Sequence, residues 1–469
     1  MQEKAAAILR KVLPTSVGVP AYLDQVLHKP CGAFAGATAT SLLPFPDMAS
    51  SSFLRLSMVR IPSAASRHNC PTRPDVVYEK LPGLLSSENE QGADDALTLT
   101  SIQVIFLLPP PVEGFTEANS AISFVGALAR SCSLYSRKRS QPASELVIHA
   151  SFFSSTRDEF LWTHDSDASF RKQLSVSADA VRQAAALVDQ PCNECHTDSM
   201  VSRAQQLVQD LSRHQDVKGQ VTMHKCCVGE DLDKEGFGGI YGVGKAAERP
   251  PALVVLKYTP EGESEETVAW VGKGIVYDTG GLSIKTKTGM PGMKRDMGGS
   301  AAILEAFRAV CLLGSKKTVY AVLCLAENAV GSPATRPDDI HILYSGLSVE
   351  INNTDAEGRL VVGDGVAYVS KHLNVDVVLD MCTLTGAQGI ATGQRHSAIV
   401  CNEETMEDCA VRAGRQTGDL CHPMPYSPEL FTVEFKSSVA DMKNSVKNRN
   451  NAQPSCAGHF IGSHLVDYQ

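Results

Sequence analysis

The stretch ETVAWVGKGIVYDTGG, residues 266–281, decides how the fold is read. Its first thirteen residues have the apolar, β-branched composition of a strand, carry Lys273 within the run, and stop at Asp278 before a glycine pair. Charged groups in such a setting are rarely buried unless they are paired or hold a metal. On either side the pattern alternates. ALVVLKY (252–258), TVYAVLCLAE (318–327), SVEINN (348–353) and VDVVLDMCT (375–383) read as strands, and SAAILEAFRAVCLL (300–313) and EGRLVVGDGVAYVSKH (357–372) read as helices. That order implies crossover connections and a mixed, largely parallel sheet flanked by helices, an α/β domain. Ligands of such sheets sit beyond the carboxyl ends of the strands. The charged clusters fall there: Lys273 and Asp278 where one strand meets its glycine turn, Asp355 and Glu357 between SVEINN and the next helix.

At 469 residues the chain exceeds what one core usually serves, so two domains are expected. Hydrophobic residues at 43% and charged residues at 20% exclude a largely disordered or fibrous protein. A net charge of -9 and a pI near 5.8 leave no basic footprint for nucleic acid or an anionic membrane. The apolar run IQVIFLLPPP (102–111) is shorter than the roughly 18–20 residues that span a bilayer, so no membrane segment is expected. The amino terminus MQEKAAAILRKVLP does not read as a secretory signal, which predicts a cytoplasmic protein whose 14 cysteines stay reduced. Cys192, Cys195 and His196 in PCNECH spell the haem-attachment pattern C-x-x-C-H, read here as a chance spacing beside a helix. The other histidines show no H-E-x-x-H spacing. GVGKAA (242–247) lacks the full phosphate-loop pattern and reads as a turn into a helix.

The first third differs in composition. Pro, Ser and Ala are frequent in TATSLLPFPDMASSSF (38–53), and SSENEQGADDA (86–96) reads as an exposed loop. SIQVIFLL (101–108) and ELVIHASFF (145–153) are expected strands, with a helix in ANSAISFVGALARSCSLYS (118–136) between them. A helix over 178–190 ends at Pro191. These features predict a smaller α/β domain of macro-like type over 1–175 and a catalytic domain over 176–469.

Two stretches, 270–302 and 351–360, together carry four carboxylates (Asp278, Asp296, Asp355, Glu357) and three cations (Lys273, Lys285, Arg359). Four acids converging at strand ends repel one another, and a bound cation is the usual remedy. The chain resembles the leucyl aminopeptidase family of dimetal exopeptidases. The resemblance rests on NTDAEGRL (353–360), on Lys273, Asp278, Gly280, Gly281 and Lys285, on DMGG (296–299), and on DMCTLTGA (380–387). It covers about residues 180–460, and GFGGIYGVGKAA (236–247) is similar to an animal aminopeptidase-like branch.

The resemblance implies hydrolysis of the amino-terminal, leucine-like residue of peptides by a water activated between two metals. One divalent ion, Zn, Mn or Mg, would be held by Lys273, Asp278, Asp296 and Glu357, and the other by Asp278, Asp355 and Glu357. Lys273 would have to be a neutral amine. Lys285 would stabilise the tetrahedral oxyanion, and Arg359 would hold a bicarbonate. Met293, Thr383, Leu384 and Gly386 would line the pocket for the first side chain, although MCTLTGA can also be read as a strand closed by a turn. A homo-hexamer is implied as well. The chain departs from the family in reading MKRDMGG before the helix. It also ends at SCAGHFIGSHLVDYQ, short of a further strand and pocket segment. An apparently truncated carboxyl terminus motivates a second expectation, a weak or inactive metal-binding member serving as an assembly subunit or regulator.

Overall fold

The computed structural model describes residues 37–44, 53–62, 64–85, 101–138 and 147–465. The amino-terminal stretch 1–14, residues 45–52 of the Ser-rich segment and the expected loop over 86–96 lie outside them. The described chain separates into two compact units, one within 1–178 plus 408–420, the other within 179–407 plus 421–469.

In the smaller unit β1 (Ala37–Pro44) pairs antiparallel with β2 (Phe53–Arg60). Helix α1 (Pro74–Leu85) follows, and then β3 (Ser101–Leu108) runs parallel to β4 (Val147–Ser154), which pairs antiparallel with β5 (Glu159–Leu161). Helix α2 (Glu117–Ser131) starts at a capping box. Thr116 Oγ1 accepts from the Asn119 amide, and Asn119 Oδ1 accepts from the Thr116 amide at 2.8 Å, satisfying two donors that the helix leaves open. Phe106 stacks on Phe124 (4.9 Å between ring centroids) and on Phe152 (5.6 Å), fastening this helix to the sheet.

Helix α3 (Ala168–Asp189) begins ten residues before the expected start. ASFRKQLSVS offers too few apolar positions to signal a stripe, yet it contains no breaker, so the helix propagates through it. The Cys192–His196 segment is the turn that joins α3 to α4 (Thr197–Arg213). Cys195 N–H donates to Pro191 O at 2.8 Å, and His196 caps α4 through Nδ1, which accepts from the Ser199 amide. C-x-x-C-H therefore spells a tight turn followed by a helix cap.

The larger unit is built on five strands in the order β12-β8-β9-β7-β6: β6 (Gly219–Val228), β7 (Ala252–Pro260), β8 (Thr267–Asp278), β9 (Thr318–Asn328) and β12 (Val377–Met381). β12, β8 and β9 are parallel, whereas β7 and β6 join antiparallel. The short β10 (Ile340–Ile342) and β11 (Ser348–Glu350) belong to a separate three-stranded sheet completed by Met442–Lys443. β9 is buried along almost its whole length, as expected of a strand covered on both faces. GVGKAA closes the helix Gly238–Gly244 rather than opening one, and the four glycines of that helix let it pack tightly before it ends.

Alternate residues of β8 serve two different helices. Gly272 and Gly274 face α5 (Gly298–Leu313), where a Cβ on Gly272 would lie 2.7 Å from Ser300 Cα. Ser300 Oγ donates to Gly272 O at 2.9 Å. Val271 and Lys273 face α6 (Gly358–His372): a Cβ on Gly365 would meet Val271, and one on Gly358 would strike the Lys273 side chain. The period of two thus sends apolar contacts one way and the lysine the other.

Gly272→Ala should lower unfolding free energy by about 1–3 kcal/mol, since backbone must shift to admit the methyl. Urea denaturation followed by circular dichroism would register the loss.

Candidate metal centre

Each acid is placed by a local backbone device. Asp278 ends β8. Its Oδ1 accepts from the Gly280 amide at 2.8 Å and from Asn328 Nδ2, at the end of β9, also at 2.8 Å. Gly280 and Gly281 have φ of +85° and +61°, conformations that favour glycine, and a Cβ on Gly280 would lie 2.8 Å from Asp355 Oδ1. The turn they make returns the chain so that the Lys285 amide donates to Thr279 O at 2.9 Å. Asp296 follows the 3₁₀ turn Met293–Arg295 and leads into α5. Thr383 Oγ1 donates to its Oδ1 at 2.7 Å. Glu357 is the residue from which α6 starts. The loop before it is clamped by Asn444, whose Nδ2 donates to Asn353 O at 2.7 Å and to Ala356 O at 3.2 Å.

The side chains then converge. Lys273 Nζ lies 2.8 Å from Asp296 Oδ2 and 3.0 Å from Glu357 Oε1, and donates to Thr383 O at 2.7 Å. Lys285 Nζ lies 2.7 Å from Asp278 Oδ2 and also pairs with Asp355 Oδ1. Oxygens of Asp278, Asp355 and Glu357 fall within 4.8 Å of one another. Lys273, Asp278 and Glu357 are 2–3% exposed, so these charges interact with little solvent screening.

The acids bear the consequences. Burial, with the Glu357 charge added, raises the Asp278 carboxyl against the pull of Lys285. Burial pushes Asp296 up to about 7, with Lys273 opposing and Glu357 adding. Burial also works to raise Glu357, but Lys273 outweighs it and holds that carboxyl below its usual range. Lys273 itself is drawn down by burial and held well above the ordinary amine range by Glu357 and Asp296. The lysine is therefore an ammonium in this arrangement, whereas ligation needs the neutral amine.

The cluster fits divalent cations on three counts. Its donors are carboxylate oxygens and one amine, a set suited to hard or borderline dications. Glu357 Oε2 is buried without a hydrogen-bond partner or ion pair, leaving an oxygen for which the protein supplies nothing. The two ammonium groups stand where the acids demand positive charge, a demand that bound cations would meet instead.

The structure brings Lys273, Asp278, Lys285, Asp296, Asp355 and Glu357 into one constellation. Arg359, two residues beyond Glu357, is buried. Its Nε and Nη1 have no hydrogen-bond partner, and its guanidinium lies 5.9 Å from the Phe435 and Phe460 ring centroids. Burial lowers it to about 10, with the Glu357 charge opposing, so it stays cationic at neutral pH. Thr383 touches the cluster through Asp296 and Lys273. Met293 O accepts from the Asp296 amide at 3.2 Å, Leu384 packs against the main core, and Gly386 starts the short helix Ala387–Ala391. A cleft of about 700 Å³ opens beside Lys285 and Asp355, and none of Met293, Thr383, Leu384 or Gly386 lines it. Lys294 and Arg295 do not crowd the acids: Lys294 Nζ donates to Asp189 O, and Arg295 Nε donates to Gly292 O at 3.2 Å. Sequence reasoning passed over Asn328 and Asn444. Asn328 had a signal, since it closes the strand parallel to β8. Asn444 sits far along the chain in a segment of no recognisable period.

Residues 182–469 match the model of the cytosol aminopeptidase family, catalytic domain, and residues 32–141 match that of the M17 aminopeptidase N-terminal domain 2. The chain belongs to the cytosol aminopeptidase family. A human relative, probable aminopeptidase NPEPL1, is 47% identical over 420 residues, covering 84% of this chain and 78% of that protein. Leucine aminopeptidase 1 of Caenorhabditis elegans is 42% identical over 411 residues, covering 87% and 76%. Among solved structures, an apo leucyl aminopeptidase from Trypanosoma cruzi superimposes with a TM-score of 0.84 at 37% identity, covering 99% of this chain and 85% of that one. The family assigns the enzyme class read from NTDAEGRL, a metal-dependent aminopeptidase that releases the amino-terminal residue of a peptide.

For this cytosol aminopeptidase, Asn328→Ala should weaken divalent-metal affinity 10- to 100-fold, because it frees Asp278 to rotate. Isothermal titration with Mn²⁺ or Zn²⁺ would measure the change.

Proposed function

We propose that this chain hydrolyses the amino-terminal bond of peptides, leucine-like residues preferred, at a centre of two divalent cations, Zn²⁺, Mn²⁺ or Mg²⁺. Lys273, Asp278, Asp296 and Glu357 would hold one cation, and Asp278, Asp355 and Glu357 the other. The observation that carries this reading is the convergence of three buried carboxylates and the half-buried Asp355 on two lysines, with Glu357 Oε2 left without a hydrogen-bond partner. When bound, such a pair supplies a water of lowered pKa and polarises the scissile carbonyl.

The chain's own residues have separable tasks. Burial works to lower Lys285, but its hydrogen bonds to Asp278 and Asp355 hold it well above the ordinary amine range. It keeps its proton at neutral pH, which excludes it as a base and suits it to stabilise negative charge developing on the carbonyl oxygen. Arg359 likewise keeps its proton. Its two unpartnered nitrogens, Nε and Nη1, support the binding of a small oxyanion such as bicarbonate, which would accept a proton where no uncommitted side chain is placed to do so. Thr383 orients Asp296, and its carbonyl takes one Lys273 hydrogen. Met293, Thr383, Leu384 and Gly386 would form the wall for the first side chain. A cytoplasmic site of action is proposed on the resemblance to cytosol aminopeptidases. A homo-hexamer is proposed on family resemblance.

The test is hydrolysis of a leucyl-amide substrate with parallel metal analysis. Glu357→Gln should lose bound metal and turnover together. Lys285→Ala should keep stoichiometric metal and lose about 10²- to 10³-fold in kcat, the size seen when a transition-state donor is removed. Full activity in Glu357→Gln would overturn the ligand assignment. Bicarbonate should stimulate the unmodified enzyme and leave Arg359→Met unaffected. Equal stimulation of both would remove Arg359 from that role.

A further inference from the structure

The cleft beside the acidic centre has a charge opposite to that of the centre. One wall carries Ile284, Lys285 and Asp355; the other carries Val446, Lys447 and Arg449. Asp355 is the one acid among its lining residues, and it is already committed to the constellation. The second wall is fixed relative to the first. Val349 and Glu350 pair in parallel with Met442 and Lys443, Asn444 clamps the loop before Glu357, and the Ser445 amide donates to Asn352 Oδ1 at 2.9 Å. The Lys447 amide is held in turn by Glu434 O at 3.1 Å.

The two outer cations are uncommitted. Among the described residues, neither the Lys447 nor the Arg449 side chain makes a hydrogen bond or an ion pair, and both are exposed. Glu434 attracts Lys447 through its charge, but its oxygens accept from the Asn448 amide and from Asn451 Nδ2, each at 2.9 Å. A cleft of about 700 Å³ lined both by Lys285 and Asp355 of the centre and by two free cations favours an anion on the leaving side of the bond. The anion that every peptide with a free end carries is its terminal carboxylate, which a guanidinium can grip with two parallel hydrogen bonds.

We propose that this cleft receives the leaving part of the substrate and that Lys447 and Arg449 bind its free terminal carboxylate, making short peptides the preferred substrate class. This deepens the aminopeptidase reading above and rests on it. Val446 and the exposed Ile284 offer apolar contact to the residue between the two charged ends.

Initial rates of the full-length metal-loaded protein on Leu-Gly and Leu-Gly-Gly, each as free acid and as amide, test the proposal. The acid should exceed its amide in kcat/KM by about tenfold, what two exposed charge pairs supply, and mainly through KM. In Lys447→Ala/Arg449→Ala the acid-to-amide ratio should fall to near one. Lys316→Ala, an exposed lysine paired with Glu265 and absent from the cleft lining, should leave the ratio as it is in the unmodified protein. Raising ionic strength should shrink the ratio as well.

An unaltered ratio in the double variant overturns the proposal. So does a preference that follows the side-chain carboxylate of Leu-Glu amide instead of the terminal acid. Equilibrium binding of the same acid and amide pairs, read by calorimetry, separates this inference from the activity itself. Loss of turnover on every substrate would defeat the aminopeptidase reading, whereas equal binding of acid and amide would defeat the cleft assignment alone.

Discussion

The buried Lys273 ammonium is the constraint around which the catalytic unit is organised. An unpaired charge in a dry interior costs several kcal/mol, so the lysine must be met by anions, and the anions by it. Its partners come from separate segments: Asp296 ahead of α5, Glu357 at the start of α6, and the Thr383 carbonyl just beyond β12. Each segment is therefore held at the carboxyl ends of the parallel strands by an interaction none of them could make alone. Removing one member leaves the rest as uncompensated charge, which ties the geometry of the site to the stability of its surroundings.

That convergence demands close backbone approach, and the glycines of β8, α5 and α6 permit it. Gly272 and Gly274 leave one face of β8 nearly flat so that α5 can settle on it, and Gly358 leaves the space through which the Lys273 side chain passes. Gly299 is pressed against the Met381 carbonyl, which fixes the entry of α5 against the end of β12. Gly280 allows the loop after Asp278 to fold onto Asp355. A side chain at any of these positions would separate carboxylates that must lie within a few ångströms of one another.

Much of this was legible in the sequence because strand composition, glycine pairs and acids recur at short spacing. The expected strands from Ala252 onward appear within a few residues of their predicted bounds, and so do the helices over 300–313 and 357–372. β6, α4 and the carboxyl-terminal helix Gln453–Gly462 were not read: GQVTMHKCCV mixes polar and apolar residues too evenly to declare a face, whereas Met200, Ala204, Leu207, Val208 and Leu211 gave α4 a helical stripe that was legible and passed over. The antiparallel joining of β7 and β6 was equally hidden, because strand direction is decided by long-range pairing and not by composition. The acids of the constellation stood in two dense motifs. Asn328 and Asn444, which hold the acids and their loop in place, lie outside those motifs and are ordinary residues until the chain folds.

The site and its cleft together present a field that suits a peptide of defined polarity. A short peptide carries an amino group at one end and a carboxylate at the other, and the cleft is lined by Lys285 and Asp355 of the centre and by Lys447 and Arg449. A peptide entering backwards would bring its amine to Lys447 and Arg449, a like-charge approach that disfavours that direction. Under the proposed assignment the two cations of the cleft would thus set the orientation of the peptide, and the first side chain would be chosen among molecules already correctly placed.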